Sequence, residues 1–343
     1  MPKILFFSEA VSLAHVARPV QLAKALGNEW EVFFACAQQY EFCFNDTNWA
    51  RYKISSISPN LFFERLKKGS PLFFQDELRA YAKEDLSIIL KLKPDIIVGD
   101  LRFSLSAAAR VAAVPYLSIC NAHWSPWAKI GSYPLPDIPL THLMGPKIAS
   151  VLFRIGYPFA FKLHSRPLNA VRAFYGLPPL KDLRFTYTDS DMTLFPDTPG
   201  LVPTQDLPYP HRYIGPIIWS PRIPEPPWWE KLPTNSMLAY VTLGSTGSVE
   251  LLSSVLEVLE EYGFITIVAT AGRKDIPPIN GKRFVSDFLP GEAIASLARI
   301  VVCNGGSATA YQALAKGKPV IGICSNMDQF LTMTCVERTG SGL

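Results

Sequence analysis

The sequence predicts an α/β protein in which two doubly wound parallel sheets follow one another. Short apolar runs alternate with segments of helical period along nearly the whole chain, the pattern of repeated βαβ units. That rhythm breaks once, at a stretch rich in proline and tryptophan, and then restarts. At 343 residues the chain is also longer than one hydrophobic core usually organises.

In the first half, the four apolar residues Ile4–Phe7 read as a buried strand, and Val16–Leu26 as the helix that follows. Val32–Ala35 is the next strand, and Asp76–Leu92 carries a helical period opened by acidic residues. Ile96–Val98, a helix over Ser104–Ala113 and the strand Tyr116–Ile119 complete this half, leaving 61–82 and 121–165 as long, apolar, largely irregular stretches. The second half reads as strand Leu238–Leu243, helix Val249–Tyr262, strand Ile265–Ala269, strand Phe284–Phe288 and helix Glu292–Leu297. Strand Ile300–Cys303, helix Ala308–Ala315, strand Val320–Ile323 and helix Asp328–Arg338 follow.

Between the halves runs Gly215-Pro216-Ile217-Ile218-Trp219, continuing through Pro221, Pro224, Pro226 and Pro227 to Trp228-Trp229. Proline fixes φ and removes a donor, so this segment is an extended, stiff surface linker with its tryptophans packed on one domain. The expected domains are therefore 1–215 and 234–343, with the linker at 216–233. Two such domains form a cleft between the carboxyl edges of their sheets, where α/β folds bind ligands.

Composition excludes several classes. Apolar residues make up 48% and the net charge is only +4, so the chain is not disordered. Six sparse cysteines without a CxxC pair belong in apolar runs as buried thiols, not in a disulfide framework. The small, scattered basic excess gives no nucleic-acid footprint. Ser8, Glu9 and His15 interrupt the opening apolar run before it reaches signal-peptide length, and no uncharged run is long enough to span a membrane. Met144–Leu163 is the most apolar region, and a buried helix is its favoured reading. A pocket wall and a membrane-surface element are the alternatives.

The chemistry belongs at the strand-to-helix turns. Gly244-Ser245-Thr246-Gly247-Ser248 follows one strand of the second half, and Asn304-Gly305-Gly306-Ser307-Ala308-Thr309 follows another. Glycines let the backbone approach a ligand, and a helix N-terminus offers N–H groups and positive charge, so two such turns suit a diphosphate. A simple helix cap is the plainer reading of either alone. Neither turn is GxGxxG or GxxxxGK[ST], and Thr309 stands where a hydrolase elbow needs glycine. No HExxH, DxD or CxxC cluster provides a metal site. In the first half, His15 follows the first strand, and an imidazole there can accept a proton near neutral pH. Taken alone, a histidine in such a loop more often just serves its local backbone. Asp100 closes a strand at the same sheet edge, whereas Asp95 precedes that strand and lies at the opposite edge.

Phe288-Leu289-Pro290, Asn304-Gly305-Gly306-Ser307-Ala308-Thr309, Ala313-Leu314, Gly317, Pro319 and Asp328-Gln329 together resemble the donor-binding signature of UDP-glycosyltransferases. These are inverting, metal-independent enzymes of the GT-B fold, among them bacterial macrolide and sterol glycosyltransferases. Ile4-Leu5-Phe6-Phe7, Ala14-His15-Val16, Pro19 and Tyr213-Ile214-Gly215-Pro216 extend the resemblance over the chain. It implies a general base at His15 oriented by Asp100. It implies donor contacts by Gly244, Ser245, Thr246, Phe288, Leu289, Asn304, Gly305, Gly306, Ser307, Thr309, Asp328 and Gln329. His123 and Trp124 are expected at the acceptor, although aromatic loops more often serve packing.

The resemblance further implies no cofactor beyond a nucleotide-sugar co-substrate, UDP first, and no metal. The partners expected are that donor and a hydrophobic hydroxylated acceptor, with no nucleic acid. A cytoplasmic monomer or weak dimer, with peripheral contact to the inner membrane face, fits the same reading. Asn304 stands where the family has a histidine, Ala308 replaces a frequent glycine, and Gly291 replaces a glutamine. A nucleotide-sugar 2-epimerase and a non-catalytic nucleotide-sugar-binding protein are the rival readings. Family members continue past the equivalent of Leu343, so the second domain is expected to lack an edge element.

Overall fold

The computed structural model describes residues 1–136, 139–220, 223–233, 236–244 and 247–343. The chain divides into two compact units, Met1–Ile217 and Ile218–Leu343.

The first unit is a seven-stranded sheet with helices on its faces. Its strands are β1 (Lys3–Ser8), β2 (Glu31–Cys36), β3 (Ala50–Lys53), β4 (Ile96–Asp100), β5 (Tyr116–Ile119), β6 (Met192–Phe195) and β7 (Arg212–Tyr213). They lie in the order β3-β2-β1-β4-β5-β6-β7, all parallel. Both faces are apolar because crossover helices cover both. Leu5, Phe7 and Ile97 pack on one side with Ile89 of α3 (Gln75–Leu92) and Ala108 of α4 (Leu105–Val111). On the other, Phe6 stacks on Phe34, which stacks on Trp49. Strand order reverses between β1 and β4, and Ser8 pairs with Asp100 at their carboxyl ends. That reversal is where a doubly wound sheet opens a ligand crevice.

The stretches expected to be irregular are mostly helical. Residues 61–82 enter α2 (Pro59–Lys68), capped by the Ser58 hydroxyl, and then α3. Beyond 138 come α5 (Pro139–His164), broken at Gly145, α6 (Arg166–Phe174) and α7 (Leu183–Thr188). The favoured buried reading of Met144–Leu163 is overturned. Ala149, Phe153, Tyr157 and Phe161 turn inward, Tyr157 and Phe161 against Tyr133. A second apolar row faces outward, with Ile155 75% and Phe159 68% exposed.

The second unit has strands β8 (Leu238–Thr242), β9 (Ile265–Ala269), β10 (Arg283–Ser286), β11 (Ile300–Cys303) and β12 (Val320–Gly322). They form a parallel sheet in the order β10-β9-β8-β11-β12. Helices α8 (Leu252–Glu261), α9 (Gly291–Leu297), α10 (Ser307–Ala315) and α11 (Met327–Arg338) follow β8, β10, β11 and β12. Here the order reverses between β8 and β11. Beside β12, Val320 N–H donates to Ser341 and Gly322 N–H to Leu343. In the proline-rich stretch, the Trp228 indole donates to the Val285 carbonyl at 3.0 Å and packs on Phe284.

Candidate active site

His15 sits in the first turn of α1 (Leu13–Ala25), a helix that begins earlier than its apolar period suggested. Pro19 lacks the N–H that would otherwise bond the His15 carbonyl, so the first turn of α1 is loosened beside the crevice. The imidazole Nδ1 lies 2.7 Å from Asp100 Oδ1. Asp100 ends β4 and is fully buried, while the His15 ring is 21% exposed. A carboxylate accepts only, so Nδ1 is the nitrogen that donates to Asp100, and Nε2 is the lone-pair nitrogen of the neutral ring.

Asp100 is shared with a residue that sequence reasoning missed. The Arg18 guanidinium clamps the carboxylate, Nε donating to Oδ2 at 2.8 Å and Nη2 to Oδ1 at 2.7 Å. Its Nη1 donates to Asn121 Oδ1 at 2.8 Å. Oδ1 therefore receives both His15 and Arg18, which brings their nitrogens within 2.9 Å of each other. The guanidinium fork offers planar paired donors and fixes the carboxylate plane, and with it the ring. The signal was available: Arg18 follows His15 by three residues and so shares its helix face. Asn121 is held in turn by Asp197, whose second oxygen accepts the Ala122 N–H at 2.6 Å. Asp95 bonds the Lys3 N–H at the opposite sheet edge.

The predicted acceptor residues are packed. His123 is inaccessible, and Trp124 stacks on Tyr187 with ring centroids 4.9 Å apart.

In the second unit the two glycine turns meet at its strand reversal. Ser245 and Thr246 lie outside the described residues. A Cβ on Gly247 would stand 2.4 Å from the Leu243 carbonyl oxygen and 3.0 Å from Asn304 Cβ, so only glycine fits there. The Arg273 side chain donates to the carbonyls of Gly244 and Gly247 at 3.0 and 2.9 Å, latching this turn. Across from it, Asn304 Oδ1 accepts the Gly306 N–H at 3.1 Å. Gly305 adopts φ +79°, and a Cβ there would meet Cys324 Sγ at 2.5 Å. Gly306 caps α10, whose first turn contains Ser307 and Thr309 and presents its N–H groups at the sheet edge.

Phe288 is largely exposed and Leu289 buried beside Pro290, the residue that caps α9. Gly291 abuts Gln312, whose Oε1 would sit 2.8 Å from a Cβ, so a larger residue at 291 would have to displace the end of that side chain. Gln329 is buried: its Oε1 accepts the Ser325 N–H at 2.8 Å, and its own N–H donates to Asn326 Oδ1. It thus closes the capping box of α11, while Asp328 beside it is partly exposed. Among the described residues no group of three or more His, Cys, Asp or Glu side chains could hold a metal ion.

No family model matches the chain. It is 45% identical over 343 residues to a PGL/p-HBAD biosynthesis rhamnosyltransferase of Mycobacterium bovis, covering 99% of this chain and 76% of that protein. It is 43% identical, over 99% of this chain and 80% of that one, to a PGL/p-HBAD biosynthesis glycosyltransferase of Mycobacterium tuberculosis. An M. bovis relative named as an inactive PGL/p-HBAD biosynthesis glycosyltransferase is 41% identical over 262 residues, 76% of this chain and 71% of that one. Among solved structures, the glycotransferase of kitacinnamycin superposes with a TM-score of 0.71 at 18% identity, covering 100% of this chain and 86% of that one. The spinosyn rhamnosyltransferase SpnG complexed with thymidine diphosphate gives 0.62 at 16%, again covering 100% and 86%.

Proposed function

The chain belongs to the PGL/p-HBAD biosynthesis glycosyltransferases, enzymes of the GT-B fold, and on that premise we propose that it transfers a sugar from a nucleoside diphosphate donor to a hydroxyl of a hydrophobic, lipid-borne acceptor in glycolipid assembly. One observation carries the chemistry: His15 turns its Nδ1 to a buried carboxylate while its side chain stays 21% exposed.

In this reading Nε2 takes the proton of the acceptor hydroxyl as its oxygen attacks the anomeric carbon. The bond from that carbon to the diphosphate breaks with its electron pair, and the sugar is inverted. Asp100 stabilises the imidazolium that forms, and Arg18 keeps the carboxylate in place. The charge gathering on the departing diphosphate is met by the opening N–H groups of α10 and the Ser307 and Thr309 hydroxyls. Gly244 and the left-handed Gly305 shape the two turns around it, with Asn304 supplying a neutral amide. Ser245 and Thr246, Phe288 and Leu289, and Asp328 for the sugar hydroxyls complete the donor contacts. Gln329 supports Asp328 through the cap it closes, and His123 and Trp124 back the acceptor from within the core.

Rhamnose is the first sugar to try, because a relative at 45% identity is named for its transfer. Uridine diphosphate is the first nucleotide, and thymidine diphosphate the second because a rhamnosyltransferase of this fold was solved with it. A donor-by-acceptor panel read by mass spectrometry tests the whole reading. Acceptor mass raised by one sugar supports it. A sugar isomer formed from donor alone would point to an epimerase. Donor bound but never consumed would point to a binding protein.

A further inference from the structure

The outward row of α5 has no role in the chemistry above. Ile148, Val151, Leu152, Ile155, Phe159 and Leu163 are all exposed. At 100° per residue they fall in one stripe roughly 120° wide and about 24 Å long. Folding does not require this stripe, since Ala149, Phe153, Tyr157 and Phe161 already dock the helix from the opposite side. Scattered exposed apolar residues are ordinary, but a continuous apolar stripe marks a contact surface.

Charge identifies what covers it. Lys147 and Arg154 flank one side of the stripe and Lys162 lies within it, all three exposed. No carboxylate among the described residues pairs with any of them, and the sequence from Pro139 to Lys181 holds no Asp or Glu. A second copy of the chain would set these cations against their own kind, which disfavours self-association through this face. An apolar stripe edged only by cations matches a bilayer whose headgroups are anionic, with the helix lying in the plane of the interface. No helix among the described residues is long and apolar enough to cross a membrane, so the contact is peripheral.

We propose that α5 lies on an anionic lipid surface through this stripe and its three cations, bringing the first unit to an acceptor that resides in lipid. The inference rests on the proposed function only for the acceptor's lipid nature, and vesicle binding can be read without any turnover. The full chain is sedimented with vesicles of phosphatidylcholine alone and with a third phosphatidylglycerol. Wild type should bind the second and not the first. Each cation near an anionic surface is worth roughly fivefold, so Lys147→Gln, Arg154→Gln and Lys162→Gln together should weaken binding roughly a hundredfold. Ile155→Ser with Phe159→Ser should abolish it, while circular dichroism and transfer to a water-soluble acceptor stay at wild-type level. Wild type left in the supernatant, or bound equally by both vesicles, overturns the proposal. So does light scattering that shows a dimer which Ile155→Ser with Phe159→Ser converts to monomer.

Discussion

At the scale of single residues, the chemistry turns on Asp100, whose carboxylate holds both His15 and Arg18. Asp100→Asn keeps the shape but presents an amide to Nδ1, which favours the wrong tautomer. Transfer should fall about a thousandfold with donor affinity unchanged, measured by kinetics beside calorimetric titration. Arg18 touches Asp100 and Asn121 by three hydrogen bonds, so Arg18→Met frees the carboxylate to rotate and should lower kcat more than it raises KM. Arg18→Lys should recover only part, because an ammonium cannot make the fork. That His15 and Asp100 can meet was legible in the sequence from their places at two strand ends. Arg18 was legible in principle from its spacing, but an arginine on a helix face is usually solvated, and nothing local announced its partner 82 residues away. Gly305 offers a second test. Its φ of +79° and the nearby Cys324 sulfur make Gly305→Ala costly by about 1–2 kcal/mol in strain alone. Thermal melting should drop by several degrees, and nucleotide binding should weaken with it.

At the scale of elements, β1, β4 and α3 are tied by a buried ionic cluster that plays no part in the chemistry. Arg102, just past β4, donates to Glu9 beyond β1 at 2.8 Å and to Asp85 on α3 at 2.8 Å. All three side chains are buried, and Ser104 and Ser56 bond the two carboxyl groups. Removing the shared cation, as in Arg102→Met, leaves two buried carboxyl groups uncompensated and should cost about 3–5 kcal/mol in urea unfolding. Burial pushes the Glu9 and Asp85 carboxyls above their ordinary values of 4.5 and 3.8, against the pull of Arg102. A carboxyl that binds its proton more tightly when folded stabilises the fold fully below its unfolded value. That contribution is lost as pH rises through the folded value. Glu9→Gln should therefore gain stability over wild type at about pH 8 and show little gain at about pH 4. A variant weaker than wild type at the higher pH would contradict this. None of the cluster stood out in the sequence, because long-range partners leave no local pattern. The edge strands β3 and β7 escaped for a different reason: Ala50-Arg51-Tyr52-Lys53 is polar, and Arg212-Tyr213 is only two residues long.

At the scale of the whole molecule, the two sheets and the break between them were readable because periodicity and proline are strong local signals. The exposed stripe of α5 was misread as buried because apolar composition reports a face without saying what covers it. The two units each carry a core of their own, so heating should give two calorimetric transitions. A nucleoside diphosphate at about a hundred times its Kd should stabilise only the unit it binds, by about 2.7 kcal/mol. That unit is expected to be Ile218–Leu343, and a shift confined to the other transition would contradict the donor assignment. The central claim is that His15 is the base in sugar transfer, and one comparison tests it most directly. Wild type and His15→Ala are given the same donor and acceptor, with product followed by mass spectrometry and nucleotide binding by calorimetry. The account predicts that His15→Ala binds nucleotide as wild type does and forms almost no glycosylated acceptor; turnover at the wild-type rate would contradict it.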